Sequence, residues 1–193
     1  KALYSIYFGI SVICFLAYRW AGMSWSDAFM HMCSTMGLGG FSSHDASFGH
    51  FNSPLIDYTA VVFMTIAGFN FSLHFVAWRR KSLVPYWNDP EAKAYLFTLV
   101  VACLAVAAFL YHSDVYSDQW KALRYATFNV VSIATTTGYA STDYNQWPIF
   151  APVLMLFLCG FTTCAGSTGR GVKMIRGLIL LKQARREFTR ILH

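Results

Sequence analysis

The 193-residue chain is 56% hydrophobic, 18% aromatic and only 12% charged, with a net charge of +6 and a mean hydropathy of +0.42. Soluble domains carry about 25% charged residues, so the composition excludes a disordered chain and argues against a soluble enzyme domain. It points to a protein embedded in lipid.

Residues 2–18 are uncharged and precede Arg19 and Trp20, which reads as a short first span. Residues 28–42 (AFMHMCSTMGLGGFS) follow a helix-start signal at Ser26 and Asp27 and end in Gly and hydroxyl residues. Residues 58–78 form a second span, with a mild break expected at Ala67-Gly68-Phe69-Asn70. Residues 94–113 form a third. Residues 125–141 (YATFNVVSIATTTGYAS), after Asp118 and Gln119, repeat the pattern of short helix and irregular loop. Such backbone is tolerated at membrane depth only under protein or water, which predicts re-entrant pore loops.

Residues 144–169 make a long, flawed fourth span, because Cys159 to Gly171 carries four Gly and four hydroxyl residues. Two readings fit: a span ending early in an ordinary turn, or an unwound segment lining a cavity below the pore loops. The five cysteines, Cys14, Cys33, Cys103, Cys159 and Cys164, contain no CxxC and read as buried small hydrophobes.

The order span, short helix, loop, span occurs twice. A shift of 98 residues pairs Ala28 with Ala126, Ser34 with Ser132, Gly40 with Gly138, Asp45 with Asp143, Pro54 with Pro152 and Gly68 with Gly166. Phe41 meets Tyr139 in the same register. The expected fold is an all-α integral membrane protein of two tandem span–pore helix–loop–span units, 1–93 and 94–193.

Charge predicts orientation. Segments 79–93 and 170–193 hold 11 of the 15 basic residues, and the positive-inside rule assigns them to the cytoplasm. The opposite side receives Arg19, Lys121 and Arg124 with Asp27, Asp45, Asp57, Asp114, Asp118 and Asp143, and Lys1 stands at the start of the first span. The pore loops then enter from outside, past an acidic mouth. The tail, with Val172, Ile175, Leu178, Ile179 and Leu180 before Lys182, Arg185, Arg186 and Arg190, predicts a helix leaving the membrane toward lipid headgroups or a partner.

A cation filter aims successive backbone carbonyls at a dehydrated ion, and glycine supplies the positive φ this needs. Gly37, Leu38, Gly39 and Gly40 in one loop, and Thr135, Thr136, Thr137 and Gly138 in the other, are the candidate filter residues. The aromatic after each final Gly is expected to wedge its loop. Each short helix ends at its loop, so the negative end of its dipole faces the ion. Two loops cannot surround an ion, so further copies are implied.

The stretches STMGLGGFSSHDASFGHF, SIATTTGYASTDYNQWP, CAGSTGRGVKMIR and LLKQARREFTRILH resemble bacterial Trk potassium-uptake subunits of the TrkH type, in the TrkH/KtrB/HKT superfamily. The resemblance covers nearly the whole chain. It implies four channel-like units around one K⁺ pathway in the bacterial inner membrane, of which these are the second and third. It implies filter glycines at Gly40 and Gly138 and a gating loop over Gly160, Gly166, Ser167, Thr168, Gly169, Arg170, Gly171 and Lys173. It also implies homodimers, a cytoplasmic nucleotide-binding TrkA-type partner, K⁺ as the transported ion held by filter carbonyls, and no other cofactor or metal. The family loop reads GSTGGG; here Arg170 replaces the middle Gly of the last three. On that basis Arg170 is expected to raise a barrier to K⁺, or else to reach the cytoplasmic headgroups.

Other classes fit less well. His31, His44, His50, His74 and His112 lack paired metal-binding spacing, which weighs against a membrane metalloenzyme. Gly166 to Lys173 departs from a phosphate loop, since Val172 follows Gly171 and Met174 follows Lys173. A non-conducting membrane module is the remaining alternative. No enzymatic activity and no nucleic-acid partner are expected.

Overall fold

The computed structural model describes residues 2–192; Lys1 lies outside the described residues. These are α-helices joined by loops and two 3₁₀ turns, with no strand among them. The chain opens with α1 (Ala2–Trp20), α2 (Trp25–Met36) and α3 (Pro54–Gly68), followed by α4 (Phe71–Arg80) and the short α5 (Val84–Asn88). It continues with α6 (Pro90–His112), α7 (Gln119–Ala134), α8 (Phe150–Cys159) and α9 (Met174–Leu192).

Helix α6 is 23 residues long and α1 is 19, or about 34 and 28 Å at 1.5 Å per residue. Both are long and apolar enough to cross a bilayer. Asp89 caps α6 by accepting the Ala92 N–H, and Pro90 occupies its first turn. One face of α6 buries Tyr95, Leu99, Ala102, Val106 and Leu110. The other leaves Phe97, Val100, Val101 and Leu104 uncovered. Water would penalise such a surface, and lipid does not.

The second span is broken far more sharply than expected. Helices α3 and α4 meet at 96°. Phe69 adopts extended backbone, and Asn70 starts a new helix by accepting the Ser72 N–H. The local chemistry thus caps a helix where a continuous span would need an uninterrupted ladder. The fourth span differs more. Its helix, α8, has 10 residues, too few to cross alone. Residues 160–173 then run irregularly, with Thr162 Oγ1 donating back to the Leu158 carbonyl and Thr163 Oγ1 to the Arg170 carbonyl.

The two short helices begin and end close to their expected places. Helix α7 is capped by Asp118, whose side chain accepts the Trp120 N–H. Helix α2 is capped by Ser24 rather than Ser26: Ser24 Oγ accepts the Asp27 N–H and donates to the Asp27 carboxylate. Two cysteines depart from the buried reading. Cys33 is exposed and Cys159 half-buried, whereas Cys14, Cys103 and Cys164 are buried.

The core lies where α6 and α3 pack on α7 and where α1 packs on α2. Its fully buried large side chains include Tyr18, Phe48, Tyr95, Phe128 and Tyr139. Arg124 of α7 donates from Nε to the buried Asp57 of α3 at 2.7 Å, so these two charges share one end of the fold.

Candidate ion-pathway site

The loops after α2 and α7 repeat one geometry 98 residues apart. In the first, the Gly39 N–H donates to the Ser34 carbonyl at 2.8 Å; in the second, Thr137 donates to Ser132 at the same distance. Leu38 N–H bonds the Thr35 carbonyl as Thr136 N–H bonds Ile133. Positive φ recurs at matching positions, 49° at Leu38 and 62° at Thr136, then 72° at Gly40 and 93° at Gly138. Left-handed backbone costs a side chain about 1–2 kcal/mol, which is why glycine ends each pair.

The loops also meet. A Cβ on Gly40 would collide with the Thr137 carbonyl oxygen and lie 3.2 Å from the Gly138 carbonyl carbon. The structure thereby brings Gly40 against Thr137 and Gly138. Gly37 ends α2 and Thr135 ends α7, at the helix C-termini.

Among the described residues one of the two aromatic wedges forms, that of Tyr139. Tyr139 is fully buried, donates from Oη to the His31 carbonyl at 3.2 Å, and shares a hydrogen bond with Thr35 Oγ1. Thr35 in turn shares one with Tyr18 Oη at 2.7 Å. The second loop is therefore anchored on the helix before the first. Phe41, at the matching position, is 80% exposed and packs on nothing comparable. Its apolar ring finds no cover among the described residues.

The irregular segment 160–173 packs against the second loop. The Arg170 N–H donates to Thr136 Oγ1 at 2.9 Å, joining this segment to the second loop. Lys173 Nζ donates to the Gly169 carbonyl and, at 3.3 Å, to Ser167 Oγ. Val172 N–H bonds the Gly160 carbonyl at 2.7 Å. The segment also bonds the α3–α4 break: Cys164 N–H reaches the Gly68 carbonyl, and Thr168 Oγ1 the Ala67 carbonyl. Gly166, Ser167, Thr168, Gly169, Arg170 and Gly171 thus form one bonded turn against Thr136 and residues 67–71. The stretch is irregular backbone packed on its neighbours rather than a continuation of α8.

Two of the histidines have local structural roles. His31 hydrogen-bonds the Asp27 carbonyl and Ser42 Oγ, and His74 hydrogen-bonds Tyr86 Oη and the Ile66 carbonyl. At the start of α2, Ser24 and Ser43 hydroxyls donate to the Asp27 carboxylate and hold it below the usual carboxylate range, with His44 Nε2 3.3 Å away. Sequence reasoning missed Glu91, one of two acids in the basic segment 79–93, and the Asp57–Arg124 pair.

A family profile described as TrkH, cation transport protein, matches residues 1–193. The chain belongs to the TrkH family. The Trk system potassium uptake protein TrkH of Halomonas elongata is 44% identical over 193 residues, which are all of this chain and 40% of that protein. The protein of the same name from Escherichia coli K12 is 44% identical over 196 residues, with the same coverage. The crystal structure of the potassium transporter TrkH from Vibrio parahaemolyticus superposes with a TM-score of 0.97 at 42% identity, covering the whole of this chain and 42% of that one. The chain therefore spans about 40% of the length of the curated relatives it matches. Its apolar helices and these TrkH relatives make it a membrane protein.

Proposed function

We propose that this chain supplies two of the filter loops of a K⁺-selective, gated pathway in a bacterial potassium-uptake protein of the inner membrane. The observation that carries the reading is the pair of loops in 98-residue register, touching at Gly40 and Thr137, each at the C-terminal end of a short helix. Backbone carbonyls of Leu38, Gly39, Gly40, Thr136, Thr137 and Gly138 then replace part of the ion's hydration shell. The helix C-termini add negative potential, which favours a cation and repels an anion.

In this reading the units 1–93 and 94–193 are two quarters of a four-unit pore, and the remaining repeats complete the ring. Segment 160–173 is the gating loop. Its backbone bond to Thr136 supports a position just below the filter. Arg170 adds a positive charge there and raises the barrier to K⁺. The basic segments 79–93 and 170–193 face the cytoplasm, and the tail helix meets lipid headgroups or a nucleotide-binding TrkA-type subunit. The whole protein works as a homodimer. The chemistry is conduction, with K⁺ as cargo and no catalytic residue.

The test is Rb⁺ uptake by proteoliposomes carrying the full-length protein. Uptake that competing K⁺ suppresses and equal Na⁺ leaves intact supports the reading. Uptake equally suppressed by both ions refutes it.

A further inference from the structure

Glu91 lies outside the filter and outside the broken segment, yet its side chain joins that segment to α6 and α9. It sits in the first turn of α6 and is 7% exposed. One oxygen, Oε1, accepts two backbone N–H groups, from Ala165 at 2.7 Å and from Ile175 at 3.1 Å. Ala165 belongs to the broken segment, and Ile175 is the second residue of α9. A single carboxylate oxygen therefore fastens three elements that are 74 and 84 residues apart in sequence.

The two donors stand at strategic places. Ala165 lies between Cys164, whose N–H bonds the Gly68 carbonyl, and Gly166, whose carbonyl accepts the Phe71 N–H. Those bonds tie the segment to the α3–α4 break. Further along, the Arg170 N–H bonds Thr136 of the second loop. Ile175 lies in the first turn of the helix that carries Lys182, Arg185, Arg186 and Arg190. Hydrogen bonds to an ionised acceptor are about twice as strong as neutral ones, and removing a buried acceptor leaves its donors unsatisfied.

We propose that Glu91 is a latch, a positioning residue whose carboxylate holds residues 164–166 and the start of α9 in one arrangement, so that movement of the basic tail is passed to the loop beneath Thr136. The latch stands on the hydrogen-bond geometry; its effect on ion flow rests on the pathway reading above.

Cys164 is a native reporter, because it is buried in the latched segment, while Cys14 and Cys103 are buried elsewhere in the fold. The experiment is maleimide labelling of the full-length protein, with each cysteine followed by peptide mass spectrometry. Glu91→Ala raises the labelling rate of Cys164 by about tenfold or more, equivalent to about 1.4 kcal/mol, and leaves Cys14 and Cys103 within about twofold. Glu91→Gln keeps an oxygen acceptor and stays within about threefold of the parent at Cys164. Should Glu91→Ala fail to fold, Glu91→Asp, which withdraws the oxygen by one methylene, is read in the same way. Unchanged Cys164 labelling overturns the proposal, and so does a rise shared equally by all three cysteines. Rb⁺ flux measured on the same samples reports on the pathway reading separately: flux that stays constant while Cys164 alone is unmasked counts against the gate and leaves the latch intact.

Discussion

Alanine at Gly40 is expected to damage the pathway beyond the strain of its own loop, whereas at Gly138, the equivalent place in the second loop, the contacts within this chain predict strain alone. Both have positive φ, 72° and 93°. Each substitution therefore costs about 1–2 kcal/mol of backbone strain. At Gly138 the added Cβ meets nothing within 4 Å among the described residues, so within this chain the damage stays in its own loop. At Gly40 the Cβ collides with the Thr137 carbonyl oxygen, one of the groups proposed to hold the ion. That carbonyl must move, and the second loop moves with it. If strain alone transmits to ion discrimination, Gly138→Ala lowers the K⁺-over-Na⁺ preference by about tenfold, since about 1.4 kcal/mol is a factor of ten. Gly40→Ala lowers it by at least a further tenfold. The assay is the Rb⁺-to-Na⁺ permeability ratio in proteoliposomes with full-length variants at matched protein content. A Gly40→Ala loss of about tenfold or less, no more than strain alone supplies, would refute the argument that the loops bear on each other at Gly40.

Arg124→Met leaves the Asp57 carboxylate buried without its partner and is expected to cost about 3–5 kcal/mol, read as thermal unfolding in detergent; Asp57→Leu added to it recovers most of the loss, and a single-variant cost under about 1 kcal/mol contradicts the reading. Arg170→Gly is expected to speed K⁺ uptake by about fivefold or more, because a cation 4 Å away costs at least ~1 kcal/mol even in bulk-like water; equal or slower uptake removes Arg170 from the barrier. Ser24→Ala is expected to cost about 1 kcal/mol of stability through loss of the α2 cap, and Ser26→Ala much less. Because Asp27 is held below its usual range by Ser24 and Ser43, its stabilisation is complete above about pH 4, is lost as pH falls through its lowered value, and shrinks in Ser43→Ala.

The helical membrane fold was legible because uncharged runs and a 98-residue self-match survive as linear patterns. The loops were legible because glycine and threonine after a short uncharged helix announce irregular backbone. What sequence left out is specific. The 96° bend at residues 69–70 depends on Asn70 acting as a helix cap, and a single Gly before it understates the break. Ser24 and Ser26 look alike as caps, and only the Asp27 N–H direction separates them. Phe41 and Tyr139 match in the repeat, but the tyrosine hydroxyl finds the His31 carbonyl and Thr35, whereas phenylalanine has no such handle. Glu91 escaped notice because its partners are backbone N–H groups, which no residue type signals.

The central claim is that these two loops hold K⁺, and it is tested most directly by anomalous diffraction from crystals of the full-length protein soaked in Tl⁺. The account predicts Tl⁺ density between the two loops, within coordination distance of carbonyls of Leu38 to Gly40 and Thr136 to Gly138, and reduced by competing K⁺. Ordered Tl⁺ elsewhere in the protein, with none between the loops, would contradict it.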